Sequence, residues 1–354
     1  MTDLHDLTAA QLLEQFSSRQ LSPIDYYDHL LAHIDRWEPK IRALYAFDPE
    51  QVRQQAQAST ERWNKGQPNG VLDGVPVTIK ELGATEGTPI PLGSAATRLT
   101  PALRDAPPAA RMREAGAIVL AKTTVPDFGM LSSGLSSFHG ITRNPWNTAN
   151  NTGGSSSGAA AAAAAGYGPL HIGTDIGGSV RLPAAWCGLV GFKPTLGRIP
   201  IDPYYTGRTA GPMTRTVDDC VLMMQHLARP DARDATSLPP LTREWSNQPL
   251  SVKGLRVGLM LEPGAGLQPE GFVCEAVEQA ARLFEAHGAK VTLIPPIMDR
   301  AQLDGLDQFW RARQWGDLSA LSSEQFDKVL PYIRDWAAPK KIATAKETPI
   351  TIIV

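Results

Sequence analysis

A serine that follows two glycines is the first residue of this chain whose surroundings could support chemistry. The segment GTDIGGSVR (173–181) leads from a predicted strand, PLHIG, into a turn with two glycines and then Ser179. Glycines allow the backbone to direct several N–H groups at one point. Acyl transfer needs such a cluster, because negative charge develops on the carbonyl oxygen in the transition state. Ser179 is therefore a candidate nucleophile, with an ordinary glycine-rich turn as the alternative.

A second serine-containing segment, GGSSSGAAAAAAAGYG (153–168), consists almost entirely of four residue types. Gly/Ser runs are typical of flexible linkers. Here, however, the serines precede the run from Ala159 to Ala165, and alanine is the best helix former. A helix start presents unpaired N–H groups and a partial positive charge. The segment therefore predicts serines at the start of a helix, with small residues that let another backbone approach closely.

A catalytic serine needs a base, and the residues alone leave the choice open. GSSSG (154–158) matches the nucleophile elbow with Ser156 at its centre. The histidines that this motif would need, His226 and His287, fall within or at the end of predicted helices. A lysine is a base only when its pKa lies far below the usual ~10.4, as burial can achieve. Three lysines in or after strand-like runs are candidates: Lys80, Lys122 and Lys193.

Length, composition and charge indicate a globular protein. The chain has 354 residues, 42% hydrophobic and 20% charged, with a formal net charge of −2, so no general attraction to nucleic acid or an anionic membrane is expected. The first residues lack the pattern of a signal peptide, and no apolar run reaches the ~20 residues of a membrane span. We expect a small-molecule partner, neither nucleic acid nor membrane, and allow for a homodimer.

No metal or cofactor site is predicted. His29 and His33 have the spacing of two metal ligands on one helix face, but HLLAH lacks the glutamate of that motif and no third ligand is apparent. The cysteines are too widely spaced for a disulfide framework or a zinc site: Cys187, Cys220 and Cys274. A cytoplasmic location is therefore expected.

The elements that must position these residues alternate along the chain. Apolar periodicity predicts three N-terminal helices, Leu7–Phe16, Pro23–Trp37 and Glu50–Trp63. Further on, strands are predicted within 71–82, 117–124, 168–175, 188–195, 254–260 and 289–296, and helices at 107–116, 216–227 and 271–287. This alternation predicts an α/β fold with a buried, parallel or mixed sheet.

Three segments, in order and at matching spacing, resemble the amidase signature family. GVPVTIKE resembles its lysine strand, GGSSSGAAAAAAAG its Gly/Ser-rich motif, and GTDIGGSVRLPAAWCGLVGFKPT its nucleophile motif. The resemblance implies Lys80 as the catalytic lysine, Ser155 as the bridging serine and Ser179 as the nucleophile. The two serines are 179 − 155 = 24 residues apart, as in the family. RNPWN and GPMTRTVDD also match, and the similarity extends from about residue 5 to about residue 300.

The resemblance implies a cofactor-free amidase that acts on a small-molecule amide. Neutral Lys80 would draw a proton from Ser155, which sits in a cis peptide in the family, and Ser155 would draw one from Ser179. The implied oxyanion donors are the N–H groups of Ile176, Gly177, Gly178 and Ser179. The implied substrate-binding residues are Met130, Leu131, Ser132, Ser156 and Arg181. Arg181 has an alternative, structural role as the partner of Asp175.

The resemblance also implies one amidase signature domain over residues 1–354, with a central mixed sheet flanked by helices on both faces. Its expected parts are N-terminal helices, a catalytic core, a loop, the remainder of the α/β core and an atypical tail: 1–65, 66–227, 228–253, 254–334 and 335–354. Family members usually continue with further strands, and KKIATAKETPITIIV does not resemble them. We therefore expect a truncated C-terminal part, an exposed sheet edge and poor solubility.

Two other functions stay open at this stage. The family includes the A subunit of a glutamyl-tRNA(Gln) amidotransferase, which releases ammonia for a partner, but SVRLPA has Leu182 where those subunits tend to carry glutamine. A truncated, inactive amidase is the other alternative.

Overall fold

A computed structural model provides the structure of the protein and describes residues 3–339. The chain divides into two compact units. Of the described residues, one unit comprises residues 3–247 together with Ser323–Leu330, and the other comprises Gln248–Ser322 and residues 331–339. Every predicted site residue belongs to the first unit. Most of the predicted tail, residues 340–354, lies outside the described residues.

Helices and strands alternate along most of the described chain. The helices are α1 (Ala9–Ser18), α2 (Pro23–Ile41), α3 (Pro49–Asn64), α4 (Pro107–Glu114), α5 (Ser157–Ala164), α6 (Arg181–Cys187), α7 (Val217–Leu227), α8 (Gly271–Ala286), α9 (Arg300–Ser319), α10 (Ser323–Lys328) and α11 (Pro331–Ala337). The strands are β1 (Leu44–Tyr45), β2 (Pro76–Lys80), β3 (Ile118–Thr123), β4 (Leu135–Ser136), β5 (Gly140–Ile141), β6 (Arg143–Asn144), β7 (Asn147–Asn151), β8 (Leu170–Asp175), β9 (Val190–Gly191), β10 (Thr209–Thr214), β11 (Arg256–Leu259) and β12 (Lys290–Leu293). Within residues 3–339, no helix has both the length and the apolar character that crossing a bilayer requires.

The three helices predicted at the N-terminus are present, with small differences at their ends. Ser22 begins α2 by accepting the N–H of Asp25, and Pro23 occupies the first helical position, where its missing N–H costs nothing. The inner face of α2 carries buried side chains at helical spacing: Tyr26, Tyr27, Leu30 and Ile34. Their burial, rather than helix propensity, is what holds such a helix in place.

The central sheet contains six strands in the order β1-β3-β2-β8-β10-β9. β2 pairs in parallel with β3 on one side and β8 on the other, whereas β1, β10 and β9 join by antiparallel pairing. All five residues of β2 are buried, as expected for a strand in the middle of a covered sheet.

Apolar side chains cover both faces of this sheet. On one face β3 packs with α2, α3 and α5 through Ile118, Leu120, Tyr27, Val52 and Ala161. On the other face β2 and β8 pack with α4 and α7 through Val77, Ile79, Ile172, Met112 and Met223. The predicted α/β fold, with a mixed sheet and helices on both faces, is confirmed.

β10 is the long strand of the sheet that the sequence did not reveal. Its residues, TAGPMT, include glycine and proline, which are depleted in strands. The strand is defined by its antiparallel pairing with β8, from Thr209 opposite Asp175 to Met213 opposite His171. Non-local pairing therefore overrides the local propensity of this segment.

The second unit contains the strand–helix–strand segment that was predicted over residues 254–296. β11 and β12 pair in parallel over four residues each, and α8 connects them, as parallel pairing requires. These two strands form a sheet of their own. The division of one domain into the five segments named above stays a prediction.

Candidate active site

Lys80 ends β2 at the edge of the sheet where the parallel strand β8 also ends. The residue is only 1% exposed. Its Nζ atom lies 2.9 Å from Ser155 Oγ and 3.0 Å from Ser156 Oγ. The carbonyl oxygen of Thr174 lies 3.3 Å from the same nitrogen. The lysine strand and the Gly/Ser segment, which were predicted separately, therefore meet at one point.

The surroundings of Lys80 favour its neutral form. Burial lowers the pKa of Lys80 well below its ordinary value, and the positive charge of Arg208 acts in the same direction. The negative charges of Asp175 and Glu81 oppose this shift without cancelling it. Loss of water destabilises an ammonium ion more than an amine. Lys80 is therefore suited to accept a proton.

Backbone contacts hold the serines that precede α5. The Gly154–Ser155 peptide bond is cis, and Ser155 is almost fully buried. The Ser156 hydroxyl accepts the N–H of Thr174 and donates to the carbonyl oxygen of the same residue, both at 3.2 Å. These contacts join the start of α5 to the end of β8. Five alanines of α5, Ala159 to Ala163, are buried, and the helix spans Ser157–Ala164, so the predicted helix behind the serines is confirmed.

Ser179 lies in the turn between β8 and α6, beside the start of α5. The N–H of Ser156 donates to the Ser179 carbonyl oxygen at 3.1 Å, and Ser179 itself is half-buried. The segments that carry Ser155 and Ser179 are therefore in contact. In the part of the chain that the structure describes, no hydrogen bond joins the two hydroxyls.

The N–H groups of this turn divide into two sets. Gly178 donates to Asp175 Oδ1 at 2.8 Å. Within residues 3–339 the N–H groups of Ile176, Gly177 and Ser179 donate to no protein acceptor. Of the four predicted oxyanion donors, Gly178 thus differs from the rest, because its N–H already donates a hydrogen bond to a carboxylate.

Arg181 and Asp175 form an ion pair that stabilises the same turn. Arg181 donates from Nε to Asp175 Oδ2 at 3.0 Å and from Nη2 to Oδ1 at 2.9 Å. Burial raises the pKa of Asp175, but the hydrogen bonds from Arg181 and from the backbone N–H groups outweigh it, so the pKa is lowered. The structure therefore contains the pairing considered for Arg181, and its contact with a substrate stays a prediction.

The predicted substrate-binding residues Met130, Leu131 and Ser132 lie in a segment that passes close to Ser155. We call residues 127–139 the pocket loop. A Cβ atom placed on Gly129 would lie 3.5 Å from Ser155 Oγ. One placed on Gly154 would lie 2.9 Å from the carbonyl oxygen of Leu131. The loop backbone thus passes directly beside the serine, although substrate binding by these side chains stays a prediction.

The other candidate bases have different contacts. Burial lowers the pKa of Lys122 to about 7, but its Nζ donates to the Gly83 carbonyl oxygen. Lys193 donates to the carbonyl oxygen of Pro194 at 2.8 Å. Among the described residues, no histidine forms a hydrogen bond with Ser156. Lys80 is therefore the candidate that the fold brings to the serines.

Two charged residues near Lys80 were not singled out from the sequence. Glu81 directly follows Lys80 and is the last residue of the motif GVPVTIKE, so the sequence could have revealed it. Arg208 lies in YYTGR, which has no recognisable motif, and it reaches the site because it immediately precedes β10. Lys80 and Arg208 line one cavity of about 30 Å³.

Comparisons with known proteins agree on the relationships of this chain. The family model "Amidase" matches residues 26–308. An acylamidase of Rhodococcus erythropolis is 38% identical over 300 residues, which are 83% of this chain and 62% of that protein. The A subunit of the glutamyl-tRNA(Gln) amidotransferase of Roseiflexus castenholzii is 38% identical over 297 residues, which are 82% of this chain and 60% of that protein. The chain thus spans less than two thirds of the length of these relatives.

Solved structures of related proteins have the same fold. A bacterial aryl acylamidase of the amidase signature family is similar with a TM-score of 0.88 and 30% identity, over 97% of this chain and 74% of that chain. A second amidase structure is similar with a TM-score of 0.79 and 27% identity, over 94% of this chain and 73% of that chain. Together with the match of the family model to most of the sequence, these similarities show that the chain belongs to the amidase family, the family of the amidase signature enzymes.

Proposed function

We propose that this protein hydrolyses carboxylic amides to the acid and ammonia or an amine, through an acyl-enzyme on Ser179. The observation that carries the proposal is the contact of 2.9 Å between the buried Lys80 Nζ and Ser155 Oγ. A buried amine beside a hydroxyl is a base beside a proton donor. The family membership of the chain supports the same reaction class.

The hydrogen-bond partners of Lys80 support the direction of proton transfer. The carbonyl oxygen of Thr174 can only accept, so it takes one N–H of the amine. The Ser156 hydroxyl proton is used on the same carbonyl oxygen, so Ser156 accepts the second N–H of the amine. A neutral amine then has one lone pair left, which faces Ser155. We infer that Ser155 donates its proton to Lys80.

The proposed reaction follows from this arrangement. Ser155 gives its proton to Lys80 and takes the proton of Ser179. Ser179 Oγ then bonds to the amide carbon, and the carbonyl electron pair moves to the oxygen, where the N–H groups of Ile176 and Gly177 and that of Ser179 itself stabilise it. The C–N bond breaks as the leaving nitrogen takes a proton from the relay. Water then attacks the ester, which releases the acid and restores the Ser179 hydroxyl.

Labelling with a fluorophosphonate probe tests this proposal. We expect the wild-type protein to be labelled and to release ammonia or amine from simple amides. Ser179→Ala and Lys80→Ala should lower the rate of hydrolysis by a factor on the order of 10³ or more. The first variant lacks the oxygen that bonds to the amide carbon, and the second lacks the amine that accepts the proton. Lys193→Ala is the control, since the hydrogen bond described above for Lys193 goes to the neighbouring Pro194 carbonyl oxygen and not to a serine of the site. Full activity of Ser179→Ala would refute the proposal.

A second candidate is glutaminase activity as the A subunit of an amidotransferase. The identity of 38% to such a protein equals the identity to the acylamidase. Leu182, at a position where those subunits tend to carry glutamine, favours the acylamidase type. Ammonia release from glutamine that requires added partner subunits would favour this second candidate, whereas hydrolysis of acylamides by the chain alone would favour the first proposal. An unlabelled protein would indicate an inactive relative.

A further inference from the structure

Glu81 is a buried carboxylate beside the catalytic lysine that the proposed reaction does not use. Its side chain is 0% exposed. Its Oε1 accepts the N–H of Gly93 at 3.0 Å, and its Oε2 contacts Nε2 of His139. An unpaired buried carboxylate is costly, so these partners are needed where the residue stands.

The side chain of His139 is also buried, with 5% of it exposed. Its ring packs edge-on against Tyr45, with ring centroids 5.2 Å apart, and against Phe138 at 4.9 Å. The ring therefore has a defined orientation, and Nε2 is directed at the Glu81 carboxylate. A hydrogen bond between an ionised carboxylate and a ring N–H is among the stronger ones in proteins.

Glu81 and His139 belong to a closed ring of hydrogen bonds. Gly93 donates its N–H to Glu81, and its carbonyl oxygen accepts the Ser136 hydroxyl. Ser136 Oγ in turn accepts the N–H of His139 at 2.8 Å. The ring thus joins the residue next to Lys80 with the C-terminal end of the pocket loop. Because the groups are buried, replacing one leaves others without a partner.

The N-terminal end of the pocket loop is joined to the C-terminal end of the same loop and to Ser94 outside it. Asp127 is 0% exposed, and its carboxylate accepts the N–H and the hydroxyl of Ser137, both at 2.7 Å. It also accepts the Ser94 hydroxyl at 3.2 Å. The loop is therefore held at both ends, while Met130 to Ser132 lie between these ends and beside Ser155.

We propose that Glu81 and His139 are a positioning pair that holds the pocket loop against Ser155 and so sets how the acyl group of the substrate is bound. This inference rests on the amide hydrolysis proposed above. The pair links β2 to the pocket loop, because Glu81 directly follows Lys80 in the chain and contacts His139. The pocket loop would form the wall of the acyl site. Neither side chain takes part in bond making.

The test compares His139→Phe with His139→Gln. Phenylalanine keeps an aromatic ring beside Tyr45 but has no donor for Glu81, whereas glutamine keeps an N–H donor. Labelling rates are measured with two fluorophosphonates, one with a methyl and one with an octyl chain, together with kcat and KM for acyl amides of increasing length. Val52→Ala, a core truncation in α3, is the control for a simple loss of stability.

We expect His139→Phe to lower the ratio of octyl to methyl labelling rates about tenfold, because a tenfold change corresponds to the free energy of one lost charge-assisted hydrogen bond. For the amide substrates, the change should appear in KM for long acyl amides. His139→Gln should restore the ratio to within about threefold of the wild type, and Val52→Ala should leave it unchanged.

An unchanged ratio in His139→Phe, with the wild type active, overturns the positioning pair and leaves the proposed function intact. Should His139→Phe fail to fold, Glu81→Gln takes its place: a fall in the ratio supports the pair and an unchanged ratio overturns it. A wild-type protein that neither reacts with the probes nor hydrolyses amides overturns the proposed function itself.

Discussion

At the scale of single residues, the candidate site places two buried ionisable groups in opposite states. Asp175 receives backbone N–H groups and the guanidinium of Arg181, which favour its charged form. Lys80 Nζ lies beside hydroxyl and carbonyl oxygens, and the positive charge of the nearby Arg208 favours the neutral form of the lysine. The environment therefore sets both states, as donors stabilise an anion and burial destabilises a cation. The residue types alone do not predict this difference.

The lowered pKa of Lys80 predicts a gain in stability on its removal. In the unfolded chain Lys80 has a pKa of ~10.4 and carries a proton at neutral pH, whereas in the folded chain its pKa is lowered. Between the two values the unfolded state binds one more proton, so this residue opposes folding most at the low-pH end, and its cost fades as the pH approaches 10. Lys80→Met should therefore raise the free energy of unfolding at pH 7 by about 1 kcal/mol or more, and by less at pH 9.5.

Urea unfolding of the wild type, Lys80→Met and Lys193→Met at both pH values measures this effect. Lys193→Met is the control, since Lys193 is only partly buried and its Nζ donates to a neighbouring carbonyl oxygen. The same Lys80→Met protein should be inactive on amides. A change in the free energy of unfolding that is equal at pH 7 and pH 9.5, or a loss of stability at pH 7, would contradict the interpretation of Lys80 as a neutral buried amine.

At the scale of elements, the site exists because small residues allow three segments to approach closely. β2 ends at Lys80, β8 leads into the turn with Ser179, and α5 begins just after Ser155. A Cβ atom on Gly158 would lie 2.2 Å from the Ala43 carbonyl oxygen, and one on Gly154 would lie 2.5 Å from that of Ser133. The glycines of this segment therefore serve close packing rather than flexibility. The sequence favoured this interpretation, because a run of alanines follows Gly158 and the serines.

Gly154→Ala should disrupt the contact between the Gly/Ser segment and the pocket loop. The new Cβ atom would meet backbone atoms, the carbonyl oxygens of Ser133 and Leu131, and backbone cannot move aside as a flexible side chain can. We expect a loss of about 2 kcal/mol in the free energy of unfolding, typical of overpacking, and a large fall in probe labelling.

Gly305→Ala in α9 is the matched control for Gly154→Ala. A Cβ atom there meets nothing within 4 Å, so the change should stabilise the helix by about 0.5–1 kcal/mol. Thermal unfolding and labelling rates measure both variants. Wild-type labelling by Gly154→Ala would show that the loop and the serine segment are not tightly packed.

At the scale of the whole molecule, the second unit exposes much apolar surface on α8. Five of its apolar residues are at least 40% exposed: Phe272, Val273, Val277, Leu283 and Phe284. Ala281 is the buried residue of the helix. Large exposed apolar patches mark interaction sites or lead to association. The poor solubility and the homodimer allowed for from the sequence stay predictions, and this helix is where we expect association to begin.

Replacing two of these side chains should reduce association of the protein. Phe272→Glu with Leu283→Glu removes apolar surface and adds charge, so we expect a smaller mass by light scattering at equal protein concentration. Lys290→Glu is the control, because it changes the net charge by the same amount and leaves the α8 surface intact. Probe labelling should be the same in all three proteins. An equal fall in mass for the control would attribute the effect to charge alone.

The sequence by itself indicated candidate residues for the chemistry and most of the order of helices and strands, because short motifs and apolar periodicity are local properties. It pointed to Lys80, Ser155 and Ser179 through a family resemblance, and to the α/β fold through the alternation of elements. It left three lysines equivalent and did not reveal β10, whose glycine and proline disfavour a strand. Only the tertiary structure decided that Lys80, 75 residues from Ser155, meets that serine, that Gly178 donates to Asp175, and that His139 pairs with Glu81. These contacts join segments distant in the sequence, and their energies depend on burial, which arises only when the chain folds.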